Sequence, residues 1–258
     1  MRFVRVMKKE LLEGKKNLFI YSITIVMVMF IQEFVGAFII KMTGGTQPFE
    51  SSYLGNFTGF LFLGGFIVTS MMFSQDMFNR TGQHNWLMLP ASRLEKFGAK
   101  AVLSAFAYPI VLTLLVTVAS IVVEALTLLF FGNPFSPFIP WTANVGRMVL
   151  HYVATQSVFL LGATYFRKTH FVKTVLTIGI IGILMGLLAT LFVRIAFAPY
   201  FTGPFDLRID LSVIDNHHTI VTLGRWIGNI FYWLVLPVFC WFTAYLRVKE
   251  VQSTDAIQ

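Results

Sequence analysis

The chain has 258 residues, of which 56% are hydrophobic and only 12% charged, and its mean hydropathy is +0.73. Soluble domains carry roughly a quarter charged residues, so this composition excludes an ordinary soluble domain and predicts an all-α, polytopic membrane protein. The formal net charge of +8 is scattered among loops rather than gathered on one face, which points to oriented insertion into a lipid bilayer and not to nucleic acid.

Residues 1–16 place Phe3, Val4, Met7, Leu11 and Leu12 at helical spacing among Arg2, Arg5, Lys8, Lys9, Lys15 and Lys16. That pattern predicts an amphipathic helix lying in the headgroup layer. The apolar stretch that follows, at about 23 residues, is a crossing and too long for a signal-peptide core. Six spans are predicted within a transmembrane domain of residues 17–246, at about 18–40, 53–73, 101–129, 145–166, 174–198 and 226–246. Span two carries Gly55 and Gly59, and span five carries Gly179, Gly182 and Gly186, spacings that permit close helix contact. Span three contains Pro109, which predicts a kink. The Pro-rich segment Gly132 to Trp141 reads as an outer loop. The segment 199–225 is too long for a turn and is expected to be re-entrant, interfacial or extended, and residues 247–258 form a polar tail.

Placing both termini on one side leaves only Lys41, Arg147, Arg194, Arg208 and Arg225 out of the 20 Lys+Arg on the other side or within spans. An even number of crossings with both ends cytoplasmic follows from this bias, in the bacterial inner membrane.

The longest polar interruption on the basic side is the loop 75–100. Pro90 disfavours a helical Leu89, and Ser92 followed by Glu95 is a capping box that opens a new helix. The run with Arg80, Gly82, Leu87, Leu89-Pro90, Ser92-Arg93, Glu95 and Gly98-x-Lys100 resembles the cytosolic loop of type-2 ATP-binding cassette permeases. The chain departs from that family in having Thr81-Gly82 where Gly-Thr is frequent.

The resemblance implies an N-terminal amphipathic helix, six spans, and a coupling loop that seats in a cleft of a separate ATPase. On this reading Trp86, Leu87 and Leu89 are its apolar contacts and Arg80, Gln83 and His84 its polar ones. It further implies a dimer with a second permease copy or paralogue, and export of an amphipathic molecule. The chain carries no G-x-x-x-x-G-K-[ST] loop, so ATP and Mg belong to the partner, and no cofactor or enzymatic activity is expected here.

Glu33, Glu124 and Arg194 are ionisable residues within predicted spans. Such charges are usually turned inward and paired, so Arg194 is expected to pair with Glu33 or Glu124 as an outer gate. His217, His218, Asp210 and Asp215 read as solvated loop residues rather than a metal site. The lone Cys240 excludes an internal disulfide. Two other classes fit the same composition: a membrane anchor or sensor subunit without transport, and a membrane enzyme acting on lipid.

Overall fold

A computed structural model of the chain describes residues 2–43, 53–78, 86, 88, 90–166, 169–196 and 218–255. The described residues form six long helices and no strand. α1 is Arg2–Met42. α2 joins Tyr53–Gly59 to Gly65–Phe78 through a π-helical turn at Phe60–Gly64. α3 joins Arg93–Val102 to Tyr108–Phe131 through a second such turn at Leu103–Ala107. α4 is Ala143–Tyr165 and α5 is His170–Ala196. α6 joins His218–Ile230 to Leu236–Asp255 through a third π-turn at Phe231–Val235.

Five of these are long and apolar enough to cross a membrane: Lys15–Met42, Tyr53–Phe73, Arg93–Phe131, Phe171–Phe192 and Thr222–Glu250. The remaining helix, α4, is the most interior. It packs against α2, α3, α5 and α6, and its polar Gln156, Ser157 and Thr164 are buried. Polar side chains are tolerated at such a position because neighbouring helices, not lipid, surround them.

The ends of the helices interlock in alternation. The N-terminus of α1 pairs with the start of α3. The start of α3 also meets the end of α2, through Phe73 and Phe97, and the end of α6, through Phe97 and Tyr245. The end of α6 meets that of α4, through Arg247 and Tyr165. Both ends of the described chain therefore lie at one end of the bundle, together with Arg93, Lys96, Lys100, Arg247 and Lys249; we call it the basic end.

The sequence is read correctly at several boundaries. Ser92 caps α3 as predicted: its hydroxyl accepts from the Glu95 amide at 3.2 Å, and its own amide donates to Glu95 at 2.8 Å. Pro109 stands in the first turn after the π-turn of α3, where its missing N–H interrupts no regular ladder bond. Gly132 ends α3 at φ 73°, a left-handed conformation that glycine adopts without Cβ strain.

Other expectations are corrected. Residues 1–16 are continuous with the first span: α1 is one unbroken helix of 41 residues, about 62 Å at 1.5 Å per residue. Isolated Gly14 costs too little to break it, and its first turns are held against α3, with Val6 buried and Phe3 beside Gly98. The glycines of α5 make no close helix contact, since a Cβ at Gly179, Gly182 or Gly186 would meet nothing within 4 Å, and the same is true of Gly59. The close approach is at Gly162 of α4, where a Cβ would collide with Thr174 of α5. Of the segment 199–225, residues 218–225 belong to α6, and the rest lies outside the described residues.

Candidate functional site

The start of α3 has two faces. Lys96, Phe97, Ala99, Lys100 and Ala101 are buried, whereas Arg93 and Leu94 are exposed, Leu94 at 64%. Two lysines four residues apart thus point inward, where charges need partners.

Each lysine finds a backbone carbonyl and an aromatic face. Lys96 donates to the Trp86 carbonyl at 2.5 Å and sits 5.9 Å from the Trp86 ring. Lys100 donates to the Met72 carbonyl at 2.7 Å, lies 5.9 Å from the Phe73 ring, and pairs with Glu10 at 3.2 Å. The Lys100 and Glu10 side chains are 2% and 7% exposed, so little solvent screens the pair. These contacts tie the polar bridge between α2 and α3 to the end of α2 and the first turns of α1. Trp86, Phe73, Phe97, Leu160, Ala244 and Val248 then pack as one apolar cluster, adding α4 and α6. Displacing the start of α3 must therefore displace the ends of four other helices.

Of the predicted docking residues, Trp86 is placed inside this cluster, 3% exposed. Its ring faces Lys96 and is no outward contact of the single chain. Arg80, Gln83, His84, Leu87 and Leu89 lie outside the described residues. What the basic end turns outward is apolar and charged: Met88 at 70% exposure, Leu94, Tyr165 at 61%, Arg93 and Lys249, and the half-buried Arg247 paired with the exposed Glu250 at 2.6 Å. Arg93, Tyr165, Arg247 and Lys249 rim a cleft of about 520 Å³ between the starts and ends of α3, α4 and α6.

At the opposite end, Glu33 of α1, Glu124 of α3 and Tyr53 of α2 are all buried. The loop after α3 folds back over them. The Ser136 amide donates to Glu124 at 3.3 Å, the Phe138 amide donates to Ser120 at 3.1 Å, and Phe138 packs on Phe57. Arg194 belongs to α5, whose main contacts are with α4 and α2. Glu124 is thus held by the backbone of the loop as well as buried.

Sequence reasoning missed the middle of the bundle. The Tyr108 hydroxyl donates to the Phe60 carbonyl in the α2 π-turn at 2.6 Å. The Tyr152 hydroxyl donates to the Ser104 carbonyl in the α3 π-turn at 2.8 Å. Gln156 donates to the Ser104 hydroxyl at 2.8 Å. Next to Tyr152 on α4, His151 lies 3.1 Å from the hydroxyl of Tyr232 in the α6 π-turn. All three π-turns therefore lie at one level and are linked through tyrosine hydroxyls, which in α2 and α3 satisfy a carbonyl of the π-turn and in α6 meet the His151 ring. Gly64 and Gly65 make room for them, since a Cβ at either would fall 2.4 Å from a tyrosine ring or hydroxyl atom. The available signal was Tyr152 and Gln156 four apart in a span, with Ser104 and Tyr108 four apart in another.

Compared with known proteins, the chain matches no family model, no curated protein and no solved structure.

Proposed function

We propose that this chain is the membrane-embedded permease subunit of an ATP-binding cassette exporter, crossing the bilayer six times with its basic end in the cytoplasm and driven by a separate ATPase that binds ATP and Mg. The positive-inside bias supports that orientation. Counting α4 as the sixth crossing is supported by its 23 residues, about 35 Å of helix, and by its place among the other helices.

The observation that carries the reading is the two-faced start of α3. Its outer face, Arg93 and Leu94, with the exposed Met88 before it, offers an apolar and cationic surface to a soluble partner, and Lys96 and Lys100 on its inner face, with Trp86, lock that surface to the ends of four other helices. Force applied outside thereby reaches the whole bundle. A second permease copy or paralogue lies along α5 in this proposal, because the residues of α5 from Val175 to Phe192 are exposed on every side.

The test is vanadate-sensitive ATP hydrolysis by the complex purified from native membranes and reconstituted in vesicles. Leu94→Asp is expected to abolish stimulated hydrolysis while the chain remains inserted and folded. Unchanged hydrolysis overturns the docking assignment.

A further inference from the structure

Beside the Glu10–Lys100 pair, α1 stands off from α2 and α3 and leaves a groove of about 210 Å³. Along α1 it runs from Glu10 to Ser22, about 18 Å at the rise of an α-helix. Its two ends differ in chemistry. At the basic end it is bordered by Glu10, Glu13, Asn17 and Lys100, whereas further along Leu18, Met71, Leu103 and Val111 line it. Tyr108, held by its bond to the Phe60 carbonyl, stands at the far end.

The candidate crossing in α1 begins at Lys15, so the polar end lies at headgroup depth and the apolar part within hydrocarbon. The lip faces outward, with Leu11 46%, Leu18 38% and Val111 57% exposed. A groove of this kind, apolar along its length with a few polar groups at one end, is built for an amphiphile entering sideways from the bilayer.

The polar end fixes the headgroup. Two carboxylates and one ammonium border it, and Lys9 beside the groove balances Glu13, so the headgroup that suits it is zwitterionic. Glu10 and Lys100 already engage each other deep in the protein, whereas the Glu13 carboxylate sits at the rim, 57% exposed and 3.2 Å from Lys9. An ammonium at Glu13 beside a phosphate at Lys9 completes an alternating row of charges.

We infer that this groove is a binding site for an aminophospholipid, with one acyl chain lying along α1 and the headgroup held between Glu13 and Lys9. The inference stands apart from the transport reading, because it rests on the groove alone and requires no ATPase.

The experiment uses the full chain in nanodiscs doped with phosphatidylethanolamine carrying a photoreactive acyl chain, and in parallel with phosphatidylglycerol carrying the same chain. Labelled peptides are mapped by mass spectrometry. Label from the ethanolamine lipid is expected on residues 10–22 and 68–72, in preference to the glycerol lipid. Glu13→Gln is expected to reduce that preference about tenfold, the scale of one charge-assisted contact.

Gly14→Leu fills the groove from a position where a Cβ would meet only Leu18 at 3.9 Å. It is expected to remove the label while leaving the melting temperature unchanged. If that variant does not fold, Val111→Trp, made from an exposed position, blocks the same space. Equal labelling by the two lipids, or groove labelling that persists in a folded variant with a filled groove, overturns the inference.

Discussion

Removing one member of the Lys100–Glu10 pair tests the architecture of the basic end most directly. Lys100→Met leaves a carboxylate buried at 7% side-chain exposure without the ammonium 3.2 Å away. Breaking such a pair costs about 3–5 kcal/mol, because the remaining buried charge loses this counter-ion without gaining solvent. The lost hydrogen bond to the Met72 carbonyl adds about 1 kcal/mol. The double variant Glu10→Leu with Lys100→Met removes both charges, and only the second cost remains, about 1 kcal/mol. The double variant should therefore be more stable than Lys100→Met, by about 3–5 kcal/mol. In a thermal melt of the detergent-solubilised protein, the single change is expected to lower Tm by on the order of 10 °C and the double change by a few degrees. A double variant that melts as low as Lys100→Met would refute the claim that an uncompensated charge is the cause.

Three further outcomes follow from the geometry. Tyr152→Phe keeps the ring stacked on Phe66 but loses the bond to the Ser104 carbonyl, so it should destabilise by about 1–2 kcal/mol in the same melt. Gly65→Ala places a Cβ 2.4 Å from Tyr152 and should cost about 1–3 kcal/mol through overpacking, whereas Gly182→Ala, with nothing within 4 Å, should leave Tm unchanged or slightly raised. In a Cys240→Ser background, Leu94→Cys and Trp141→Cys, at 64% and 93% exposure in the native residues, should react with a membrane-impermeant maleimide from opposite compartments; labelling from the same side rejects the alternation of the helices.

The sequence made the ends of helices legible where a local chemical rule governs them. Ser92 and Glu95 announce the start of α3 because both members of the capping box lie within one turn. Gly132 announces its end because few other residues tolerate φ 73°. What stayed hidden depends on distant partners. Lys96 and Lys100 count in the sequence only towards the cytoplasmic charge bias, and only the fold supplies the carbonyls of Trp86 and Met72 that allow them inside. Trp86 reads as an exposed anchor for the same reason. The π-turns leave no mark in hydropathy, since one added residue hardly changes the composition of a span. The glycines of α5 mark a capacity for close packing, but their use requires a neighbour that the single chain does not provide.

The three π-turns have a consequence for how the two ends of the bundle can change. Each inserts one residue into a helix, and one residue corresponds to about 100° of rotation about the axis. In α2, α3 and α6 the faces beyond the turn are therefore phased independently of those before it, with α1, α4 and α5 as uninterrupted rulers. Deleting one residue from Phe60–Gly64 would swing Tyr53 and Phe57 away from the core that they now fill without disturbing Phe73 at the other end. The protein behaves as two stacked gear trains on shared shafts: either half can be re-cut by substitution while the other keeps its mesh, but losing a single tooth at the shared level puts one half out of step with the rods beside it.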